Sequence, residues 1–489
     1  RKRLQNAQTR DELANALRKD FERLSAENYA RLSLRQTDFL LHHAAIEAGI
    51  LTPFAEIGGD TAAASLRFAF LRGAARQNAA RSWAVSVDSS FRGASPVDAP
   101  DSIELKKESG SGTGPDCGHS ASLTYRLCMA SYFAGATYVQ RDAEPRIELS
   151  AKGLRRTARF RDDVTNWREF TRAHAKRGVP YTPFAFMMDV HHTWKPGASG
   201  ASASLGADEN ASIEAMLRHV FAMDADGDFE QGILTNGPYG DVFDIIVDDA
   251  SVEVESAYGL VWLLGDAEIT SEARERLTQY VRNGGILVLG ANAAKAFPPQ
   301  FAGVRFEPGT SIASQIQTGL AALPPIAAPY ICQNMTPSRN TEVLAWTDAG
   351  MPLLTWRNSG EGMVIVAGTE SWLDERGHLL PIAPGLLRAF SEAFLPVQQS
   401  PDVQMLLNRE SDGWIVTLIN NNGIRKVPTL APSVDEGQAT DFILRFKKGM
   451  PLQFLSYRGE FHWSNRANGL QTRLQPGEVA VVKATFGNQ

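Results

Sequence analysis

Between His119 and Trp194 the chain runs helix, strand, helix, strand, and each strand gives way to polar or aromatic residues at its carboxyl end. From His119 to Ala136, Leu123, Leu127, Met129 and Phe133 fall near helical spacing, and Gly135 ends the run. Thr137 to Glu144 is β-branched and aromatic before it turns polar. Pro145 prevents the ladder from continuing, so Asp142 and Glu144 stand at a strand's end. The unit then repeats: Val164 to Arg177 reads as an amphipathic helix through Trp167, Phe170 and His174, Gly178 caps it, and Tyr181 to Asp189 reads as a buried strand. His191, His192 and Trp194 follow at once. Strand–helix repeats of this kind meet the demand of a (β/α) barrel, whose site is assembled from the strands' carboxyl ends and the loops after them.

Upstream the same alternation is present. Leu13, Leu17, Phe21 and Leu24 make one helical stripe, and Leu32 to Ile50 reads as a second apolar helix. Leu51 to Gly58 is a short strand, Thr61 to Trp83 a helix, and Ala84 to Phe91 the next strand. Four strands are therefore expected in the first 190 residues, ending near Glu56, Asp88, Glu144 and Asp189. A closed barrel of this type takes eight strands, so these are counted as the fifth to the eighth, with the first four expected upstream of Arg1, where the chain opens in mid-helix. Arg92 to Gly118, rich in Gly, Ser, Pro and Asp, is expected to be a long loop over the mouth.

Gly197 to Asp208 has the composition of a flexible linker. Beyond it an α/β pattern restarts, with apolar strands at Asp244–Val247, Gly259–Leu264, Gly285–Leu289 and Gly362–Gly368 and helices between them, which reads as an open parallel sheet. From about Ser400 the apolar period changes to two, and short strands between turns such as Asn420–Gly423 and Pro476–Gly477 read as a small antiparallel sandwich. The expected architecture is α/β throughout the first two parts: the C-terminal half of a (β/α)8 barrel over residues 1–200, a Rossmann-like domain over 209–396, and an antiparallel β-sandwich over 400–489.

Composition and motifs narrow the chemistry. A net charge of -6 argues against nucleic acid as the main partner, which requires a concentrated basic surface. No apolar run reaches the ~18 residues of a membrane span. Cys117, Cys128 and Cys332 have no metal-ligand spacing and read as structural. Asp224-Ala-Asp-Gly-Asp228 invites calcium, but Phe229 and Thr235 occupy the positions where an EF-hand requires Gly and Glu, so a solvated turn is expected and no metal. No G-x-G-x-x-G opens a helix after a strand, and Leu260–Leu264 leads into Gly265-Asp-Ala-Glu268 without a thiol or hydroxyl nucleophile. No cofactor is expected. His42, His43 and His119 read as structural imidazoles. The candidate site residues are the strand-end groups Glu56, Asp88, Asp142, Glu144 and Asp189, with His191, His192 and Trp194 behind the last strand, a structural salt bridge remaining the alternative for any one acid.

The order barrel, linker, Rossmann-like domain, sandwich resembles the β-galactosidases of glycoside hydrolase family 42 and their relatives in the same barrel clan. The stretch that carries this is Tyr258 to Leu289, a strand, a helix Ala273-Arg-Glu-Arg-Leu-Thr-Gln-Tyr-Val281 and a Gly284-Gly285 strand, similar to that family's trimerisation domain. The resemblance implies a homotrimer and an enzyme that cleaves O-glycosidic bonds of a carbohydrate substrate with two carboxyl groups. One attacks the anomeric carbon and one serves the leaving group, ~5 Å apart in a retaining mechanism. In that clan the acid/base ends strand four and the nucleophile ends strand seven. By the count above Glu144 is the implied nucleophile, with Glu56, Asp88, Asp142, Asp189, His191 and His192 as sugar ligands, Trp194 as a stacking platform, and the acid/base upstream of Arg1. A polysaccharide lyase on the same scaffold, or a non-catalytic carbohydrate-binding or assembly protein, is the competing reading.

Overall fold

The structure, a computed structural model, describes residues 9–27, 34–36, 40–58, 61–78, 82–88, 90, 94–96, 104–106, 111–114, 116–141, 147–150, 153–156, 161–191, 207–223, 234–265, 269–319, 323–398, 400–447, 451 and 453–486. Three bodies of sheet organise it: a parallel sheet, a mixed sheet and a group of antiparallel sheets.

The first sheet is wholly parallel, in the order Leu34–Gln36, Thr52–Ile57, Ala84–Val87, Tyr138–Arg141. Its helices are Ala64–Gln77 and Ala121–Ala134. The second of these starts on Ser120, whose Oγ accepts the Leu123 N–H at 3.2 Å, and stops at Gly135, held at φ 107°, where a side chain would be strained. Ala55, Ile57, Val85 and Val87 pack against Phe68, Leu71, Leu123 and Leu127 of these helices. One face of the sheet is thus fixed as core, and the alternate residues must point the other way.

Two expectations change here. Leu34–Gln36 is a strand paired to Thr52–Phe54, not part of a helix from Leu32 to Ile50; the helix is confined to Leu41–Glu47. Three alternating residues beside a helical run carry no local signal of their own, and the edge of the neighbouring strand decides them. The strand Phe184–Met188, expected as the last of the barrel, lies instead in the mixed sheet, between Phe243–Val247 and Leu260–Leu263. Its burial on both faces, Phe184 and Phe186 to one core and Ala185 and Met187 to another, fits the interior of any helix-covered parallel sheet, so pattern alone could not say which. Sheet membership therefore changes near Val179, ahead of the expected linker at 197–208, most of which lies outside the described residues.

The mixed sheet has eight strands. Phe243–Val247, Phe184–Met188, Leu260–Leu263, Ile286–Leu289 and Gly362–Ala367 are parallel in that order, and Pro352–Ser359, Glu342–Thr347 and Ile316–Thr318 continue it antiparallel. The last three were not foreseen. The helix Ala64–Gln77 of the first sheet lies directly on this one: a Cβ on Gly73 would stand 1.8 Å from the Ile245 carbonyl oxygen. Glycine in mid-helix costs ~1 kcal/mol against alanine, and the close approach of backbone to backbone is what it permits.

At the C-terminal end, Val179–Pro180, Gln404–Arg409, Gly413–Ile419, Val479–Thr485 and Gln453–Arg458 form a five-stranded antiparallel sheet, and Thr440–Leu444, Gly469–Leu474 and His462–Ser464 a three-stranded one. Met405, Val416, Leu418 and Val482 share a core with Phe442, Leu444, Leu470 and Leu474. On the opposite face Ile415, Ile419, Val479 and Val481 join Leu123 and Leu127, so the five-stranded sheet packs onto the helix Ala121–Ala134. The stretch from Arg92 to Gly118, expected as loop, includes three short paired strands at Ala94–Pro96, Glu104–Lys106 and Ser111–Gly114.

Candidate active site

Because Ala55, Ile57, Val85 and Val87 face the helices, Glu56 and Ser86 face the other way, and register places them opposite each other. Ser86 is in turn opposite Gln140, whose Nε2 donates to Ser86 Oγ at 3.2 Å. Glu56, Ser86 and Gln140 form a polar row across three adjacent parallel strands. Asp88 lies one step beyond Ser86, on the same side by alternation. Its N–H extends the ladder to the Ile57 carbonyl at 3.0 Å, and its Oδ1 accepts the Ser90 N–H at 2.8 Å. Gly58 is its neighbour on the adjoining strand: a Cβ there would meet Asp88 Cβ and Oδ2 at 3.5 Å. Two carboxyl groups thus stand on one side of a parallel sheet at its carboxyl end, the place where such sheets present reactive groups.

The turn behind Glu56 is held from outside the sheet. His119 Nε2 lies 2.7 Å from the Gly58 carbonyl oxygen. Burial lowers the His119 pKa to about 4, against the Gly58 contact that raises it, so the ring is neutral near neutral pH, and a carbonyl partner requires Nε2 to carry the proton and donate. The segment leading to His119 is clamped in turn. Buried Lys426 donates its Nζ to the Asp116 carbonyl at 2.8 Å and to the Val427 carbonyl at 2.6 Å, and the Gly118 N–H donates to the Pro428 carbonyl at 2.8 Å. Burial pushes the Lys426 pKa down to about 8, opposed by Cys117 and Asp116.

The expected site residues separate. Glu56 and Asp88 share the first sheet. Asp189 and His191 follow the strand that belongs to the mixed sheet, where Asp189 Oδ1 accepts the His191 N–H at 2.7 Å and Asp248 Oδ1 accepts the Val190 N–H at 2.8 Å. Burial first, then the charges of Asp189 and Asp249, raise Asp248 to about 6 against the Val190 hydrogen bond. Asp142, Glu144, His192 and Trp194 lie outside the described residues, as does most of the Asp224–Thr235 loop. Gln140 and Ser86 escaped sequence reading although strand alternation with Glu56 could have found them. Lys426 had no local signal, since its acceptor is 310 residues upstream.

Among the described residues no group of three or more His, Cys, Asp or Glu is placed to hold a metal ion, and no helix is long and apolar enough to cross a membrane. The three cysteines are buried free thiols.

Sequence comparison brings out no matching family model and no matching curated protein. Solved structures do match. The β-galactosidase of Bacillus circulans sp. alkalophilus aligns over 97% of this chain and 67% of its own, with a TM-score of 0.57 at 11% identity. That from the psychrophilic Marinomonas ef1 aligns over 97% and 67%, with a TM-score of 0.54 at 12% identity. Over most of its length the chain resembles the GH42 β-galactosidases in fold. Gan42B, the GH42 β-galactosidase of G. stearothermophilus, gives a TM-score of 0.52 at 11% identity over 89% of this chain, which spans 59% of Gan42B's length. Identity at this level concerns the fold alone.

Proposed function

We propose that the chain is part of a carbohydrate-active hydrolase and that the face of the parallel sheet turned away from its helices is its substrate side. On this reading the four parallel strands are strands five to eight of a (β/α)8 barrel, the mixed sheet is a Rossmann-like wall of the cleft, and the antiparallel sheets are a small β-sandwich. The observation that carries the reading is the placement of Glu56 and Asp88 on the non-helical side of that sheet, at its carboxyl end; the fold resemblance supports it.

The chemistry required is a pair of carboxyl groups flanking the glycosidic bond, one ionised and one protonated. Counting Leu34–Gln36 as strand five makes Ala84–Val87 the seventh and Tyr138–Arg141 the eighth. Asp88 then ends strand seven, and Glu144, which ends strand seven only in a count that includes Phe184–Met188, follows strand eight. Both are put forward as reacting carboxylates to be tested, with Glu56 and Gln140 as sugar-hydroxyl partners and buried Ser86 holding Gln140. Asp189 and His191 belong to the wall rather than the reacting centre. The assembly proposed with this reading is a homotrimer, in which a head-to-tail patch closes each cleft. A clean monomer mass by light scattering at micromolar concentration would exclude it.

The deciding experiment is a panel of aryl glycosides and uronate polymers offered to the full-length protein. Release of aryl alcohol supports the hydrolase. Absorbance from a new carbon–carbon double bond would replace it with a lyase, and saturable sugar binding without turnover with a non-catalytic carbohydrate-binding protein.

A further inference from the structure

We infer that Lys426 and His119 are positioning residues through which the segment Lys426–Pro428, just after the short strand Ile424–Arg425, fixes the carboxyl end of the Thr52–Ile57 strand and the gap between Gly58 and Asp88. The inference deepens the reading above, on which it rests only for calling that strand end a substrate site.

The contacts form an unbroken series. The ammonium of Lys426 is buried and meets carbonyls of both segments, Asp116 on one side and Val427 on the other. The Gly118 N–H closes the same junction onto Pro428. One residue on, His119 donates to Gly58, and two residues on, Ser120 caps the helix Ala121–Ala134, so residues 116–120 cannot slide without unseating that helix. Gly58 in turn abuts Asp88. A displacement at Lys426 therefore has a stiff path to the two carboxyl-bearing strands.

The chemistry of Lys426 argues for positioning over stability. Its hydrogen bonds go to neutral carbonyls, and although the charges of Cys117 and Asp116 favour the proton, burial outweighs them and makes holding it costly. A methionine of similar length would fill the space without that cost. What the ammonium adds is direction: it orients carbonyls of two segments about one point, which an apolar side chain cannot do. His119 adds direction in the same way, since a neutral imidazole offers a single N–H along a fixed vector to Gly58.

The test is amide hydrogen exchange on the full chain, which needs no substrate. In both Lys426→Met and His119→Phe, residues 54–58 and 84–88 are expected to exchange about tenfold faster, while Ala64–Gln77 and Gly413–Ile419 keep their protection. His119→Gln, which returns an N–H donor near the Nε2 position, is expected to restore the slow exchange at 54–58. A Lys426→Met protein in which only 116–118 and 424–428 quicken overturns the inference. Should Lys426→Met lose protection everywhere, unchanged exchange at 54–58 in His119→Phe overturns it, and selective quickening there upholds it. Wild-type protein that turns over no glycoside would sink the hydrolase reading while leaving these exchange outcomes to decide the positioning.

Discussion

Arg72 donates through Nε to Asp244 Oδ1 at 2.5 Å, and this buried pair joins a helix of the first sheet to a strand of the second. Asp244 Oδ2 also accepts from Arg76 Nη1 at 2.5 Å, Thr182 Oγ1 at 3.0 Å and Tyr258 OH at 2.9 Å. Removing the carboxylate strands one guanidinium in the core and another beside it. Asp244→Ala is expected to lower the unfolding free energy by about 3–5 kcal/mol. Asp244→Asn, which keeps acceptor capacity but not charge, should fall between. Urea melts of the two variants check this, and an Asp244→Ala protein as stable as wild type would mean that the two sheets are joined by apolar packing alone.

Acid lability follows from the buried imidazoles. Burial holds His42, His43 and His119 well below the ordinary value of 6.5, His43 to about 3 and His119 to about 4, with His43 and Arg67 adding repulsion at His42. Each ring stays neutral when folded and takes up a proton on unfolding. Stability is therefore full above pH ~6.5 and falls as pH drops through it, until the folded values are reached. For His119 alone the loss is on the order of 3 kcal/mol by pH 4. Unfolding free energies from pH 7 to 4.5 should slope downward towards acid, and His43→Leu should flatten the slope. An unchanged slope in that variant would remove His43 from the account.

Glu255 works in the opposite direction. Its carboxyl oxygens are buried with no hydrogen-bond partner among the described residues, and the Arg276 Nε is 4.0 Å from Oε1. Burial raises its pKa to about 8, against the pull of Arg276. An acid whose folded value is raised costs stability as pH climbs from its unfolded value near 4.5 towards 8, because only the unfolded chain ionises freely. Glu255→Gln should accordingly be close to neutral at pH 5 and more stable than wild type at pH 8.5. A constant offset between the two proteins across that range would show that Glu255 is ionised in the fold.

Local pattern made much of this legible and left the decisive joins unread. The helix ending at Gly135 and the parallel strands at Phe243–Val247, Leu260–Leu263, Ile286–Leu289 and Gly362–Ala367 follow from periodicity and glycine punctuation. Glu56 and Asp88 were visible as strand-end acids for the same reason. Phe184–Met188 was recognised as a strand but not given its sheet, since hydrophobicity on both faces fits a barrel and an open sheet equally. Ile316–Thr318, Glu342–Thr347 and Pro352–Ser359 went unseen because they extend an existing edge rather than announce themselves by alternation. Gly73 reads in sequence as a weak point in a helix, and only the strand beneath it gives the reason.

The two reacting-carboxylate candidates are separable by substitution. In a full-length protein that turns over a glycoside, the carboxylate that attacks the anomeric carbon cannot be replaced by its amide without losing the bond-forming step, whereas a carboxylate that only binds sugar hydroxyls can. The nucleophile's variant should therefore drop kcat/KM by roughly a thousandfold or more with sugar binding retained, and the ligand's variant by much less. Asp88→Asn and Glu144→Gln are the pair to compare. Asp88 is put forward by the observed strand order, in which its strand is third of four, and Glu144 by the strand count read from the sequence. Trapping with a 2-deoxy-2-fluoro glycoside that carries a good leaving group adds a direct readout: the ester forms faster than it is hydrolysed, and the residue that becomes esterified is the nucleophile. Labelling of neither, with activity intact in both variants, would place the reacting groups elsewhere and leave Glu56, Asp88 and Glu144 as sugar ligands or structural acids.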